Sequence, residues 1–139
     1  MHSTDIQVRF GDTDAKGHLN NAVFAAYTEV ARLAFLDSVG IPANSLILAH
    51  LSIDYLRQVR YGNRVRVESY IEIVGRSSMT IRQHVMADDV LAADVKAVAV
   101  YFNFDAQRSE VIPDAMRSAL SASMNATSDA QNSVKAGAR

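Results

Sequence analysis

Residues 4–10, TDIQVRF, alternate, with Ile6, Val8 and Phe10 on one side and Asp5, Gln7 and Arg9 on the other. That period of two predicts a half-buried strand. From Asn20 the period changes. Val23, Tyr27, Val30, Ala31, Ala34 and Phe35 recur at spacings of three and four, which predicts a long helix with a wide apolar face. Asn20 suits the N-cap, and Gly40 followed by Pro42 supplies the stop signal. Period-two runs then predict strands over 46–56, 64–74, 79–86 and 90–104. Val65, Val67, Ser69, Ile71 and Ile73 share one face of the second run. From Val95 to Phe102 both faces are nearly apolar, the pattern of a strand covered on both sides. The turns between the runs (RYGN, GRSS, ADD) are short, so the sheet is expected to be an antiparallel meander. Pro113 opens a terminal helix, and from residue 123 to 139 the chain is small, polar and aperiodic. The expectation is one α+β domain over 1–122, followed by a disordered tail over 123–139.

Composition narrows the partners more than the fold. The chain has 139 residues, 49% hydrophobic and 21% charged, with a net charge of −1. This is a one-domain soluble composition without the basic excess that a nucleic-acid surface needs. Cysteine is absent, which removes disulfides, thiolate metal sites and cysteine nucleophiles. With no basic segment followed by an apolar one at the start, the chain reads as cytoplasmic. No apolar run is long enough to span a membrane. His50 and His84 have no metal-ligand spacing with other residues, so no metal is expected.

The loop FGDTDAKGHLNN, residues 10–21, carries the candidate chemistry. It brings carboxylates to the start of an apolar helix, where unpaired N–H groups can polarise a carbonyl oxygen or hold an anion. A carboxylate beside such a site can act as general base or nucleophile at an acyl carbon. Gly17 lets backbone approach a ligand closely. The same residues also make an ordinary turn, with Asp12 and Asp14 bonding backbone and Asn20 capping the helix. Residue types alone leave both readings open.

The run RFGDTDAKGHLNNAVFAAYTEVAR resembles the signature of hotdog-fold thioesterases of the 4-hydroxybenzoyl-CoA thioesterase group. The later YLRQVRYGNRVRVESYIEIVGRSSMTI resembles that family's strand, Gly-Asn turn, strand and Gly-Arg-Ser break. The resemblance spans about residues 5–120. It implies a hotdog fold, a long central helix wrapped by a curved antiparallel sheet of about five strands. It also implies a homodimer, commonly paired into a homotetramer, that hydrolyses an acyl-CoA without cofactor.

By the same resemblance Asp14 is the catalytic carboxylate, and the N–H near Asn21 polarises the thioester carbonyl. The GHLNN wording resembles the branch containing plant acyl-ACP thioesterases, which makes His18 functional as well; Lys16 stands where that branch has asparagine. Gly17 and Asn20 are placed beside the substrate. Arg76, Ser77 and Ser78 lie at the strand break where relatives contact CoA phosphates or pantetheine, a position that also suits a solvated turn. Asp12 is assigned to the loop's structure, and Glu29 to a bond with Arg32 or a neighbouring strand. Arg57, Arg60, Arg64 and Arg66 form a basic run around one turn, read as a solvated face, with contact to nucleotide phosphates as the alternative for two of them. The competing readings are a non-catalytic acyl-CoA or acyl-carrier binding protein, an acyl-ACP thioesterase, and a hotdog dehydratase using Glu29.

Overall fold

The computed structural model describes residues 1–137. Strand β1 (His2–Ile6) is followed by helix α1 (Asn21–Ser38) and strands β2 (Leu46–Tyr55), β3 (Val65–Val74), β4 (Ser78–Ala87) and β5 (Val90–Asn103). A two-residue strand β6 (Arg108–Ser109) and helix α2 (Asp114–Gly137) complete the order. The strands form one antiparallel sheet in the order β1-β3-β4-β5-β2, and β6 pairs with β5. The α+β expectation with a curled antiparallel sheet holds.

One face of the sheet carries the core. Val65, Val67 and Ile71 of β3, Met79, Ile81 and Val85 of β4, and Val95 and Ala97 of β5 are buried. They pack against Phe24, Tyr27, Ala31, Phe35 and Leu36 of α1 and Leu120 of α2. The opposite face is half-exposed and polar, and there Arg82 forks onto Asp94 through Nε (2.9 Å) and Nη2 (2.7 Å). Asn20 caps α1, its Oδ1 accepting from the Ala22 N–H at 3.1 Å. The helix stops where Gly40 takes φ +76 and the Ile41 N–H turns back to the Leu36 carbonyl, a left-handed ending that suits glycine.

Four sequence expectations are corrected. Strand β1 stops at Ile6, and Phe10 is 78% exposed instead of lining the core with Ile6 and Val8. The cause is local: the Asp12 carboxylate takes the Arg9 N–H and bends residues 10–12 into a 3-10 turn. Val30 faces outward, and Arg32 takes the inward position beside Ala31. Ile73 flips outward because the β3–β4 register shifts between Ile71 and Ile73, and one slipped residue exchanges the faces of a strand. Strand β5 is covered on one side, since Val98 and Val100 are half-exposed.

Helix α2 runs through residues 123–137, where the composition predicts disorder; residues 138 and 139 lie outside the described residues. Leu120, Met124 and Thr127 continue at helical spacing, with Met124 against the core and Thr127 buried. That stripe is too sparse to stand out from its small polar neighbours.

Candidate active site

The two aspartates of the loop have different surroundings. Asp12 is buried and both of its oxygens are held. Oδ2 accepts from the Tyr27 hydroxyl at 2.6 Å and the Arg9 N–H at 3.1 Å, and Oδ1 accepts from Arg9 Nη2 at 3.3 Å. The Tyr27 hydroxyl, then the Arg9 N–H, holds the Asp12 carboxyl below its usual range. Burial, and then the bond to Asp12, pushes the Tyr27 phenol up. Asp12 anchors the loop to α1.

The pair carries a stability prediction. A carboxyl with a depressed folded pKa contributes fully above its unfolded pKa, and the contribution is lost as pH falls through the folded value. Tyr27→Phe removes the shortest bond to a buried carboxylate and is expected to lower Tm by about 5 °C near neutral pH. The difference from wild type should shrink below the pKa of an unfolded aspartate. Equal Tm values for the two proteins at pH 7 by thermal denaturation would remove Asp12 as the anchor.

Asp14 is exposed, and one of its oxygens is engaged. Oδ1 accepts from the N–H groups of Lys16 (2.9 Å) and His18 (3.1 Å), closing the loop on itself. These bonds, His18's first, hold the Asp14 carboxyl below the usual range. Among the described residues Oδ2 has no hydrogen-bond partner. Gly17 turns the loop with φ +76, a conformation side chains resist. Its N–H donates to the Asp14 carbonyl at 3.0 Å.

The loop is pinned to the segment after β2. The Leu19 N–H donates to the Val59 carbonyl at 2.7 Å, and His18 bridges to Arg60. Between them lies a cavity of about 380 Å³ lined by Asp14, Lys16, His18, Asn21, Phe24 and Tyr55, with residues 56–59 as a wall. The Tyr55 hydroxyl donates to the Asn21 carbonyl at 2.9 Å, and its ring meets Phe24 edge-on at 5.2 Å. At the helix start the Asn20 side chain takes the Ala22 N–H, and the Asn20 carbonyl takes the Val23 N–H. The Asn21 N–H has no acceptor among the described residues. The cavity thus combines an exposed carboxylate with an unpaired helix-terminal N–H. Such a pair can activate water and stabilise an oxyanion.

Of the expected site residues, the fold brings Asp14, His18 and Asn21 together. Gly17 and Asn20 shape the loop and cap without lining the cavity. Arg76, Ser77 and Ser78 lie at the other end of β3, roughly 30 Å away at strand rise. Their carbonyls are occupied there: Arg76 accepts from Ile112 N–H and Arg117 Nη2, Ser77 from Tyr101 N–H, and Ser78 from Gly75 N–H. Within one chain they do not reach Asp14. Glu29 is exposed and does not make the expected bond to Arg32, which turns inward to Gln83. Sequence reasoning missed Phe24, Tyr55 and Lys16 as lining residues. Tyr55 enters through strand register, which no local spacing reveals.

Among the described residues no cluster of histidine, aspartate or glutamate could hold a metal, and no helix is long and apolar enough to cross a membrane.

A family model described as the thioesterase-like superfamily matches residues 8–120. A thioesterase from Thermus thermophilus, solved in complex with coenzyme A and zinc, is 31% identical and superposes with a TM-score of 0.82. That match covers 88% of this chain and 93% of the Thermus one. The Arabidopsis thaliana acyl-acyl carrier protein thioesterase ATL2 is 28% identical over 127 residues, 85% of this chain and 67% of that protein. The uncharacterized Bacillus subtilis protein YsmA is 31% identical over 80 residues, so the matched part spans about half of it, 54%.

Proposed function

The chain belongs to the thioesterase-like superfamily, and from that premise we propose that it hydrolyses acyl-CoA thioesters to free acid and CoA. The observation that carries this reading is the cavity where the Asp14 carboxylate and the unpaired Asn21 N–H meet. Asp14 Oδ2 takes a proton from water while the water oxygen attacks the thioester carbonyl carbon. The oxyanion so formed is held by the Asn21 N–H and the start of α1. Collapse re-forms the carbonyl and expels the CoA sulfur, which receives the proton from Asp14. His18 lines the same cavity and orients the acyl group. No cofactor enters these steps.

Coenzyme A is favoured as the thiol carrier by two observations. The Thermus relative holds it, and Lys16 and Arg57 line the cavity, where cationic side chains suit phosphates. The Arabidopsis relative supports the alternative of an acyl-carrier protein.

We further read the chain as a homodimer, paired into a tetramer, with α1 as the central helix of each hotdog unit. Support comes from β2, a ten-residue strand at the sheet's edge with Ile47, Leu48 and Tyr55 exposed, and with exposed Leu33 of α1 near Leu46 and Leu48. An apolar edge of that length is a template for pairing with another strand.

The test is thiol release from short, long and aromatic acyl-CoAs, and from the same acyl groups on a carrier protein, on a sample whose mass is measured in solution. Release from CoA substrates by an oligomer is expected. Release from carrier substrates alone would transfer the reading to an acyl-ACP thioesterase. Tight binding without release from either would make the chain a binding protein. A monomeric mass would remove the assembly.

A further inference from the structure

The wall of the reacting cavity, residues 56–59, belongs to the connection between β2 and β3. That connection hangs from the β4–β5 hairpin at both ends. At its start the Leu56 and Arg57 N–H groups donate to the Ala92 carbonyl of β5, at 2.9 and 3.0 Å. At its end the hold is a relay of side chains. Asn63 Oδ1 accepts from the Arg60 N–H at 2.6 Å, and Asn63 Nδ2 donates to Asp88 Oδ2 at 2.6 Å. Asp88 Oδ1 accepts from the Arg64 N–H at 2.9 Å. These neighbours fix the orientation of the Asn63 amide, because an N–H needs its oxygen and a carboxylate needs its NH2 group.

The turn held in this way straddles the reacting loop. Tyr61 meets Phe10 edge-on at 5.9 Å, at the loop's start. At the loop's end the Leu19 N–H donates to the Val59 carbonyl, and His18 bridges to Arg60. Among the described residues every hydrogen bond of Asp14 is made within the loop, to Lys16, Gly17 and His18. The place of His18 therefore decides where the Asp14 carboxylate points.

We propose that Asn63 and Asp88 are positioning residues for Asp14, holding the turn against the loop so that the carboxylate faces the Asn21 N–H across the cavity. This rests on the thioesterase reading above. Neither residue lines the cavity; they act through Arg60 and His18.

The test exchanges their roles. Asn63→Asp sets a carboxylate against Asp88. Asp88→Asn sets an amide against an amide, and one bond of the relay is lost whichever way the two turn. The double variant restores the whole pattern. Its amide at position 88 accepts from the Arg64 N–H and donates to the carboxylate at position 63, which accepts from the Arg60 N–H. Position 88 opens a two-residue turn with φ 48, a conformation that asparagine tolerates. Each single variant is expected to lower kcat about tenfold, and the double variant to return within about twofold of wild type.

The acid limb of kcat/KM separates positioning of Asp14 from a general loss of structure. The His18 N–H does most to hold the Asp14 carboxyl below its usual range, so displacing it moves the limb to higher pH. Both single variants should show that shift, and the double variant should reverse it. The other charged or titratable groups lining the cavity are Lys16, His18, Tyr55 and Arg57, and none of them is altered. Charge acting through space would instead raise the limb in Asn63→Asp, which adds a negative charge, and lower it in Asp88→Asn, which removes one. Asp89→Asn makes that same removal at a carboxylate that meets Arg66, and should leave kcat and the limb at their wild-type values.

Wild-type kcat and limb in the single variants, shifts of opposite sign, or a double variant no better than the single ones would overturn the proposal. If wild type hydrolyses no thioester, hydrogen exchange at the Leu19 amide separates the two claims. Exchange about tenfold faster in the single variants and restored in the double one upholds the hold on the loop while the thioesterase reading fails. Unchanged exchange overturns the positioning role as well.

Discussion

Asp14→Asn is expected to lower thiol release from acyl-CoA by roughly 10²–10⁴-fold, with the fold and the oligomer intact. The amide keeps the shape of the carboxylate, and its oxygen can still accept the N–H groups of Lys16 and His18 that Oδ1 holds at 2.9 and 3.1 Å. What disappears is the negative charge and the basicity of the oxygen left free of the loop. The loss therefore reports chemistry and not loop geometry. Equal release by both proteins would return Asp14 to a turn-forming role and move the chemistry to another group of the cavity, with His18 first in line.

The same residue sets the acid side of the pH profile. The His18 and Lys16 N–H groups favour the charged form of Asp14, so its pKa lies below the ordinary value. Activity that needs the carboxylate is fully present above that pKa and is lost as pH falls through it. The acid limb of kcat/KM should accordingly lie below the aspartate range near pH 4, and Asp14→Asn should lack it. A wild-type acid limb well above the aspartate range would remove Asp14 as the group that sets it.

The second large effect is expected from a backbone change. Asn21→Pro deletes the one N–H assigned to the oxyanion and should reduce kcat by about 10²–10³-fold. Most helical positions would not survive proline, but this one is prepared for it. Residue 21 is the first of α1, where proline is favoured. Its N–H makes no bond in the fold, and its carbonyl remains free to accept from Tyr55. Asn20 already has φ −61 and ψ 135, the extended conformation that proline requires before it. Asn21→Ala retains the N–H and measures the side chain's share. If proline and alanine give the same rate with native circular dichroism, the oxyanion is held elsewhere.

The parts of this molecule legible in the sequence are those decided within one element. Asn20 and Gly40 mark the ends of α1 because capping is a local matter of one side chain or one positive φ. Alternation finds β3 and β4 because one face of each is buried. The readings fail where a neighbour intervenes. Alternation places Phe10 inward, but Asp12 interrupts it; the same period places Ile73 inward, but a register shift breaks it. Arg32 cannot be recognised as a core position, because apolar spacing counts only apolar residues. Asp12 and Asp14 are alike as residue types. Tyr27, fifteen positions on, separates them by binding only the first, and the family resemblance is needed to choose the second as the reacting group. Arg76 is assigned to the site by likeness, and within one chain the length of β3 separates it from Asp14.

The place of β2 in the sheet decides when the cavity at Asp14 can form. Tyr55, which lines that cavity and holds the first turn of α1, sits on a strand whose partner in the sheet is β5. Tyr55 aligns with Ala93, and Leu46 with Tyr101. During synthesis the loop, α1 and β2 are therefore all made before the strand that positions them exists, while β3, β4 and β5 each pair with a strand adjacent in sequence. Long-range pairing of this kind waits on closure of the intervening chain. A fragment of residues 1–60 would contain Asp14, His18, Asn21 and Tyr55, yet β2 would have nothing to pair with. The reacting end is a property of the completed sheet and not of the segment that carries its motif.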